Sequence, residues 1–511
     1  MRRDGARKQV HSHWPNRSVL ALVDPTYLLS DEQMKEFIVN GFVKLNTELS
    51  PQVHQRIYER TEEVFEKEGN PGNNVLPRVP ELGEVFSDPV VVGALSSVLG
   101  PDFSMHVHRH PHVNRGPNDG GGWHKDSYWG ARKVRSHRTR WAMIFYYPQD
   151  TPLENGPTGV MPGTHCFEQR AENESEEIHL PVTGEAGTCA LVHFDLWHRA
   201  MPNHLPRMRY MMKFQFTRMN EPMAPTWNCK DPVWRDKDEN FMWAKLWDWH
   251  CGGGALPTGN GRPVATLRAE LKDADPAVRL RAVSELGFKG EGAVGALDDL
   301  SAALRDGREP VRTSAAYAMS AVGPAAVGPL SEALSDECED VRLVAAHGLA
   351  QMGAEAAPTL MDALESSEEP ARGLAAFALG DMGRVSGEAA TRGVSALAGD
   401  DSDWVRRNVA EALGTMVGAS DTAVPALCSM LKDPDGQTRY EAAYSLARMG
   451  ENAAAAVPAL AEALRDTENR YVSGHSATAL QRIGTAEAQT ALIDYLSAAR
   501  WCSMTTKEST F

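Results

Sequence analysis

The 511-residue chain contains no run of about 18 apolar residues, so nothing in it reads as a membrane-spanning helix. Its opening segment, MRRDGARKQVHSHWPNRS, lacks the apolar stretch of a secretory signal, and a cytoplasmic location is expected. Cysteine is scarce. The seven thiols (Cys166, Cys189, Cys229, Cys251, Cys338, Cys428 and Cys502) include no CxxC pair, which argues against a disulfide scaffold and reads as a reduced protein. Positive charge is also in deficit: 52 Lys and Arg stand against 68 Asp and Glu, so neither nucleic acid nor an anionic membrane is expected as the main partner. With 42% apolar and 23% charged residues, wholesale disorder and a fibrous fold are excluded. At roughly 150 residues per domain, the length predicts about two to four domains.

What is present is unevenly spread. Up to residue 255 there are 29 basic and 32 acidic residues; beyond it there are 23 and 36. Ten of the twelve Trp and fifteen of the seventeen His also precede residue 255. The sequence CGGGALPTGNGRP lies at this change of composition and reads as a Gly/Pro linker. The predicted division is a disordered segment 1–22, a first domain 23–255, a linker 256–262, a second domain 263–498 of about seven repeats, and a tail 499–511.

In the second part a short acidic turn, a Val-Arg pair, an Ala-rich helix and a glycine recur. The anchors are Val278-Arg279, Val311-Arg312, Val341-Arg342 and Val405-Arg406, with weaker copies at Ala371-Arg372, Thr438-Arg439 and Val472-Ser473. Glycines at 287, 323, 353, 383, 418, 450 and 484 are expected to close the first helix of each unit. One helix pair cannot bury its apolar face alone, so neighbours stack into an α-solenoid. The pattern resembles the HEAT family in its short form of about 30 residues. Such a solenoid offers an interaction surface, and a protein partner is expected there. It shows no catalytic cluster, and its two histidines, His347 and His475, are isolated in sequence.

The first part opens with Ser30 and Gln33, a capping box that starts a helix, with Gly41 ending it and a strand at Phe42-Val43. Helices are predicted over 51–67 and 89–99. After residue 102, short apolar runs alternate with Gly, Pro and Asn turns, which suggests a β-sandwich or barrel, most economically a jelly roll. In Trp123-His124-Lys125-Asp126 the i, i+2 spacing on a strand turns His124 and Asp126 to one side. His198, in Leu196-Trp197-His198, could complete two histidines and one carboxylate on one face of a metal, a set that suits non-haem Fe(II) oxygen chemistry. Arg209, eleven residues later, is a guanidinium fork fit for a co-substrate carboxylate, with Arg207 as its competitor.

On four segments residues 28–220 resemble the phytanoyl-CoA dioxygenase family of Fe(II)/2-oxoglutarate oxygenases. These are the opening helix with Gly41-Phe42, WHKDSYW (123–129), ENGPTGVMPGTH (154–165) and WHRAMPNHLPRMR (197–209). The resemblance implies a double-stranded β-helix with flanking helices, iron on His124, Asp126 and His198, 2-oxoglutarate held by Arg209, O2 as oxidant and hydroxylation of an organic substrate. It also places Asn114 as a polar co-substrate contact. Ala200 stands where relatives often carry a hydroxyl residue, and Asp126 favours hydroxylation over halogenation.

Three features remain. The run His106, His108, His110, His112 puts four rings on one side of a strand and is expected to face water or line the cavity beside the metal motif, with a second metal site as the alternative. The cluster Arg132, Lys133, Arg135, Arg138, Arg140 reads as a solvated basic loop or a grip on an acidic substrate such as a CoA ester. The Trp-rich segment 225–250 is expected to pack across the barrel or against the first repeat. Two further readings stay open: a scaffold protein with a degenerate oxygenase fold, and a cupin-like hydrolase or isomerase on another divalent metal.

Overall fold

The computed structural model describes residues 23–126, 134–169, 179–235, 240–254, 256–257, 259, 261–416 and 418–498. The segments 1–22 and 499–511, together with Ser127, Tyr128, Trp129, Arg132 and Lys133, lie outside the described residues.

The first helix, Asp31–Asn40, starts where its capping box directs. Ser30 Oγ accepts from the Gln33 amide at 3.3 Å, and the Gln33 side chain accepts from the Ser30 amide at 3.0 Å. Gly41 ends it in the left-handed region, φ +79°. Helices Pro51–Glu68 and Pro89–Leu99 follow, each opened by a proline whose missing N–H has no helical partner to lose.

The described residues form eight strands in two antiparallel sheets: β1 Phe42–Asn46, β2 Phe103–Arg115, β3 Trp141–Tyr146, β4 Thr158–Val160, β5 Leu180–Pro181, β6 Thr188–His193, β7 His198–Ala200 and β8 Met208–Arg218. The larger sheet runs β1-β6-β3-β8-β2 and the smaller β5-β4-β7. The sheets do not close into a barrel. Alternation along β8 decides what faces what. Tyr210, Met212, Phe214 and Phe216 join the core under the helices, where Phe214 meets Phe86 at 4.0 Å between ring centroids. Arg209, Met211, Lys213 and Gln215 therefore point the other way, between the sheets, beside a core of Met143, Phe145, Val160 and Val192.

The second part is a helical solenoid. Its inner row comprises Pro276–Lys289, Glu309–Val322, Glu339–Met352, Glu369–Met382, Asp403–Met416, Gly436–Met449 and Arg470–Ile483, each 14 residues long. The recurring arginine has a structural reason. It donates to a carbonyl six residues back, as Arg406 does to Asp400, and pairs with an aspartate of the next unit, as in Arg279–Asp306, Arg372–Asp400, Arg406–Asp433 and Arg439–Asp466 at 2.6–2.7 Å. Each such pair pins one unit to the next. Two of the expected closing glycines act otherwise. The first helix is closed by Gly290, while Gly287 lies inside it against Phe241, where a Cβ would stand 2.4 Å from the ring. Gly418 lies beyond a helix that ends at Met416.

The inner row packs on the chain's own first domain. His347 stacks on His137, ring centroids 3.8 Å apart, and His475 Nε2 lies 2.8 Å from His106 Nε2. In its described part the basic cluster is not a solvated loop: Arg138 and Arg140 meet Asp381 of the repeats, with side chains at most 10% exposed. Arg140 donates to Glu221 at 2.9 Å and Asp381 at 2.8 Å, Glu221 also accepts from Arg448 at 2.7 Å, and all four side chains are at most 9% exposed. Arg135 pairs with Asp195 and Glu168. At the far end Arg482 forks onto Asp102 at 2.7 and 2.8 Å. The Trp-rich segment contacts both bodies: Phe241 N donates to Ser284 Oγ at 2.7 Å, and Trp234 and Trp247 are buried near Lys35. Breaking one member of a buried ion cluster strands the others. Asp381→Ala is expected to cost about 3–5 kcal/mol, read as a lower denaturant midpoint, with Asp381→Asn losing less.

Candidate metal centre

His124 and Asp126 come from the segment ahead of β3, and His198 opens β7. The backbones of His124 and His198 exchange two hydrogen bonds of 3.0 Å, which sets the imidazoles side by side with centroids 4.4 Å apart. One ligand atom from each of His124, Asp126 and His198 lies within 4.8 Å of the others. Among the described residues no other such group of three or more His, Cys, Asp or Glu occurs. His198 is buried, Asp126 half-buried and His124 exposed, so the site has one edge open to solvent.

The rings are oriented for coordination. Nδ1 of His124 is 3.1 Å from the Gly122 carbonyl, and Nδ1 of His198 is 2.9 Å from the Leu196 carbonyl. A carbonyl only accepts, so Nδ1 carries the proton in each ring and Nε2 keeps its lone pair. Burial would raise the Asp126 carboxyl, but the Lys213 ammonium at 2.6 Å overrides it, aided by His198, and holds it well below the usual carboxylate range. Burial pushes His198 down to about 4, against the upward pull of Asp126. At neutral pH His198 is a neutral imidazole and Asp126 a carboxylate, and the Nε2 atoms of both rings face the site as lone-pair donors. Those donors suit a first-row divalent ion such as Fe(II), and three protein ligands leave coordination positions for other molecules.

Arg209 and Arg207 separate by burial. Arg207 is exposed, whereas Arg209 is 1% exposed. The Arg209 Nε donates to the Gly156 carbonyl at 2.9 Å, and its guanidinium lies 5.8 Å from the Tyr147 ring centre. No carboxylate pairs with it among the described residues, and burial lowers its pKa. Asn114 sits opposite Arg209 in the β2–β8 register. Its amide donates to the Gly156 and Met201 carbonyls at 3.0 and 2.8 Å, and its oxygen accepts from Asn118 at 2.6 Å. The side chain thus ties the loop that Arg209 also holds. Gly156 permits this closeness: its φ is +61°, and a Cβ there would stand 2.2 Å from the Asn114 amide nitrogen.

Of the histidine run, His106 faces the solenoid and His108 bonds Tyr471 at 2.7 Å, while His110 and His112 lie on the strand face shared with Asn114. Sequence reasoning passed over Lys213. Its signal was the i+4 spacing from Arg209 on one strand, which repeats the same face.

The family model described as Phytanoyl-CoA dioxygenase (PhyH) matches residues 37–211, a span that includes His124, Asp126, His198 and Arg209. The model described as HEAT repeats matches 264–330, 327–414, 391–481 and 424–501. A search of curated proteins returns no match. Similar solved structures include a non-heme monooxygenase, ThoJ, as its nickel complex, with 16% identity over 37% of this chain and 80% of that one, TM-score 0.31. They also include the non-heme alpha ketoglutarate dependent carbocyclase SnoK from nogalamycin biosynthesis, with 19% identity over 38% and 85%, TM-score 0.31. A third is HygX from Streptomyces hygroscopicus with iron bound, with 14% identity over 37% and 87%, TM-score 0.31. Residues 37–211 are thus a phytanoyl-CoA dioxygenase (PhyH) domain, followed in the same chain by HEAT repeats.

Proposed function

We propose that the chain is a non-haem Fe(II)- and 2-oxoglutarate-dependent dioxygenase that hydroxylates an organic substrate. His124, Asp126 and His198 would hold the iron through two Nε2 atoms and one carboxylate oxygen. Arg209 would hold the far carboxylate of 2-oxoglutarate, and Asn114 would position the Gly156 loop against it. The bound iron would supply O2 activation coupled to decarboxylation of the co-substrate. The protein's own part is to orient both imidazoles through the Gly122 and Leu196 carbonyls and to keep Asp126 ionised. The observation that carries the reading is the pairing of that triad with a buried guanidinium that has no carboxylate partner among the described residues. A buried cation without a counter-ion is costly unless an anion arrives to meet it.

The helical repeats would serve chiefly as a cradle, since their inner row already holds the oxygenase domain. A protein partner would then meet their outer surface. Among the described residues no helix is long and apolar enough to cross a membrane.

The test is anaerobic addition of Fe(II) and 2-oxoglutarate to the full chain, read by the visible charge-transfer band of the chelate. Wild type is expected to give the band and His124→Ala to lose it. Arg209→Ala is expected to need roughly a hundredfold more 2-oxoglutarate, the size of a lost charge-assisted pair. A folded, iron-loaded wild type without the band would overturn the reading.

A further inference from the structure

Lys213 stands four residues past Arg209 on β8, on the same face of the strand. Its side chain is 2% exposed, and its polar partners among the described residues are the two oxygens of Asp126, at 2.7 and 2.6 Å. A metal ion on Asp126 must take at least one of those oxygens. The ammonium then keeps half of its partner at most, beside a doubly charged ion, in a place where burial makes an unmatched charge costly.

Among the described residues Asp126 is the one acid paired with Lys213. 2-Oxoglutarate brings two carboxylates, one for the metal and one for Arg209, which leaves Lys213 unmatched. Two polar atoms near it are unmatched as well. His110 is the register partner of Lys213, and His112 lies one residue pair further along the same face. The His110 Nδ1 and His112 Nε2 atoms are both buried, and neither has a hydrogen-bond partner among the described residues. A buried polar atom without a partner in a native fold calls for an explanation, and a ligand is one. A second cation, the exposed Arg470 of the last repeat, acts together with Lys213 on His110 and His108. Positive charge thus runs from the rim, supplied by the solenoid, to the metal site.

We propose that Lys213, with His110 and His112 beside it, binds an anionic group of the substrate, a carboxylate or a phosphate monoester, once a metal has displaced it from Asp126. This inference rests on the oxygenase reading above. Before metal binds, Asp126 occupies the ammonium. Afterwards the ammonium has lost at least one of its two Asp126 oxygens and can turn a donor to the substrate, so the two binding events are ordered.

The experiment uses full-length protein loaded with Ni(II), which fills the site without turnover. Hexanoate and glycerol 3-phosphate are titrated calorimetrically, with and without 2-oxoglutarate, into wild type, Lys213→Met and Lys213→Arg. One of the two probes is expected to bind wild type, which also tells carboxylate from phosphate. It should weaken about tenfold or more in Lys213→Met and stay within about threefold in Lys213→Arg. It should also bind metal-free wild type about tenfold more weakly, while the affinity for 2-oxoglutarate stays within about twofold in all three proteins. Equal probe affinity in Lys213→Met, no binding of either probe to nickel-loaded wild type, or a parallel loss of 2-oxoglutarate affinity would each overturn the proposal. Failure of wild type to bind 2-oxoglutarate would count against the oxygenase reading, while the titrations without 2-oxoglutarate still judge the anion subsite.

Discussion

Asp126→Ala is expected to lower 2-oxoglutarate turnover roughly a thousandfold or more, equivalent to about 4 kcal/mol of barrier, because it removes the one anionic ligand proposed for the metal. It is also expected to destabilise the metal-free protein. Lys213 would remain 2% exposed with no acceptor, and breaking a buried pair on one side costs about 3–5 kcal/mol. Adding Lys213→Met to Asp126→Ala removes the stranded charge and should restore most of that stability without restoring turnover. Denaturant unfolding of wild type, both single variants and the double variant, all without metal, measures the coupling. A coupling near zero would mean that the Asp126–Lys213 contact does not matter to the metal-free state. The two readouts separate what Asp126 does for the fold from what it does for chemistry.

The second large effect concerns acid. Four histidines meet at the seam between the oxygenase domain and the repeats, each at most 6% exposed. Burial pushes His475 down to about 3 and His347 down to about 4, and it holds His106 and His137 well below the usual range. His475 faces His106, Tyr440 and Tyr444. His347 faces His137 and Phe377, with Asp381 favouring its protonation and Arg138 opposing it. His137 also feels the charges of His165, Lys125 and His193. The sign follows from which state takes up protons. Between pH 6.5 and about 4 the unfolded or undocked chain binds protons that the docked chain refuses, so stability falls as pH falls. The contribution is fully present above 6.5 and lost progressively below it. A depression of two units in one histidine corresponds to about 3 kcal/mol.

Differential scanning at pH 7.5, 6.0 and 5.0 is therefore expected to show a falling melting temperature. The fall should be shallower in the double variant His347→Phe/His475→Phe. A wild-type melting temperature unchanged across that range would remove these four residues as the acid-sensitive element.

Much of the fold was legible because its signals are local. The solenoid repeats its Val-Arg anchor every 30 to 34 residues, and a periodic signal survives weak copies such as Thr438-Arg439. The first helix was legible because its capping box lies within four consecutive residues. The grouping of His124, Asp126 and His198 was legible in part. The i, i+2 spacing is a local statement, whereas the arrival of His198 needs the backbone pairing of two segments over seventy residues apart in sequence.

Other features depend on who meets whom in three dimensions. The glycine nearest a helix end need not be its cap: Gly287 is required for contact with Phe241, and Gly290 closes the helix. Arg140 looks like one of a basic run, yet its partner Asp381 lies 241 residues away. His347 and His475 have no histidine near them in sequence, and each meets one from the first domain. Lys213 is one more polar residue in an apolar strand until folding sets it on Asp126.

The sequence by itself determined the first helix and the repeat, and it offered His124, Asp126 and His198 as candidate donors, because periodicity, capping and side-chain chemistry act over a few residues. Only the tertiary structure decided that the repeats pack on the first domain, that Arg209 rather than Arg207 is buried, and that Lys213 pairs with the Asp126 carboxylate. Burial and charge pairing depend on distances between segments, and those are set when the chain closes on itself.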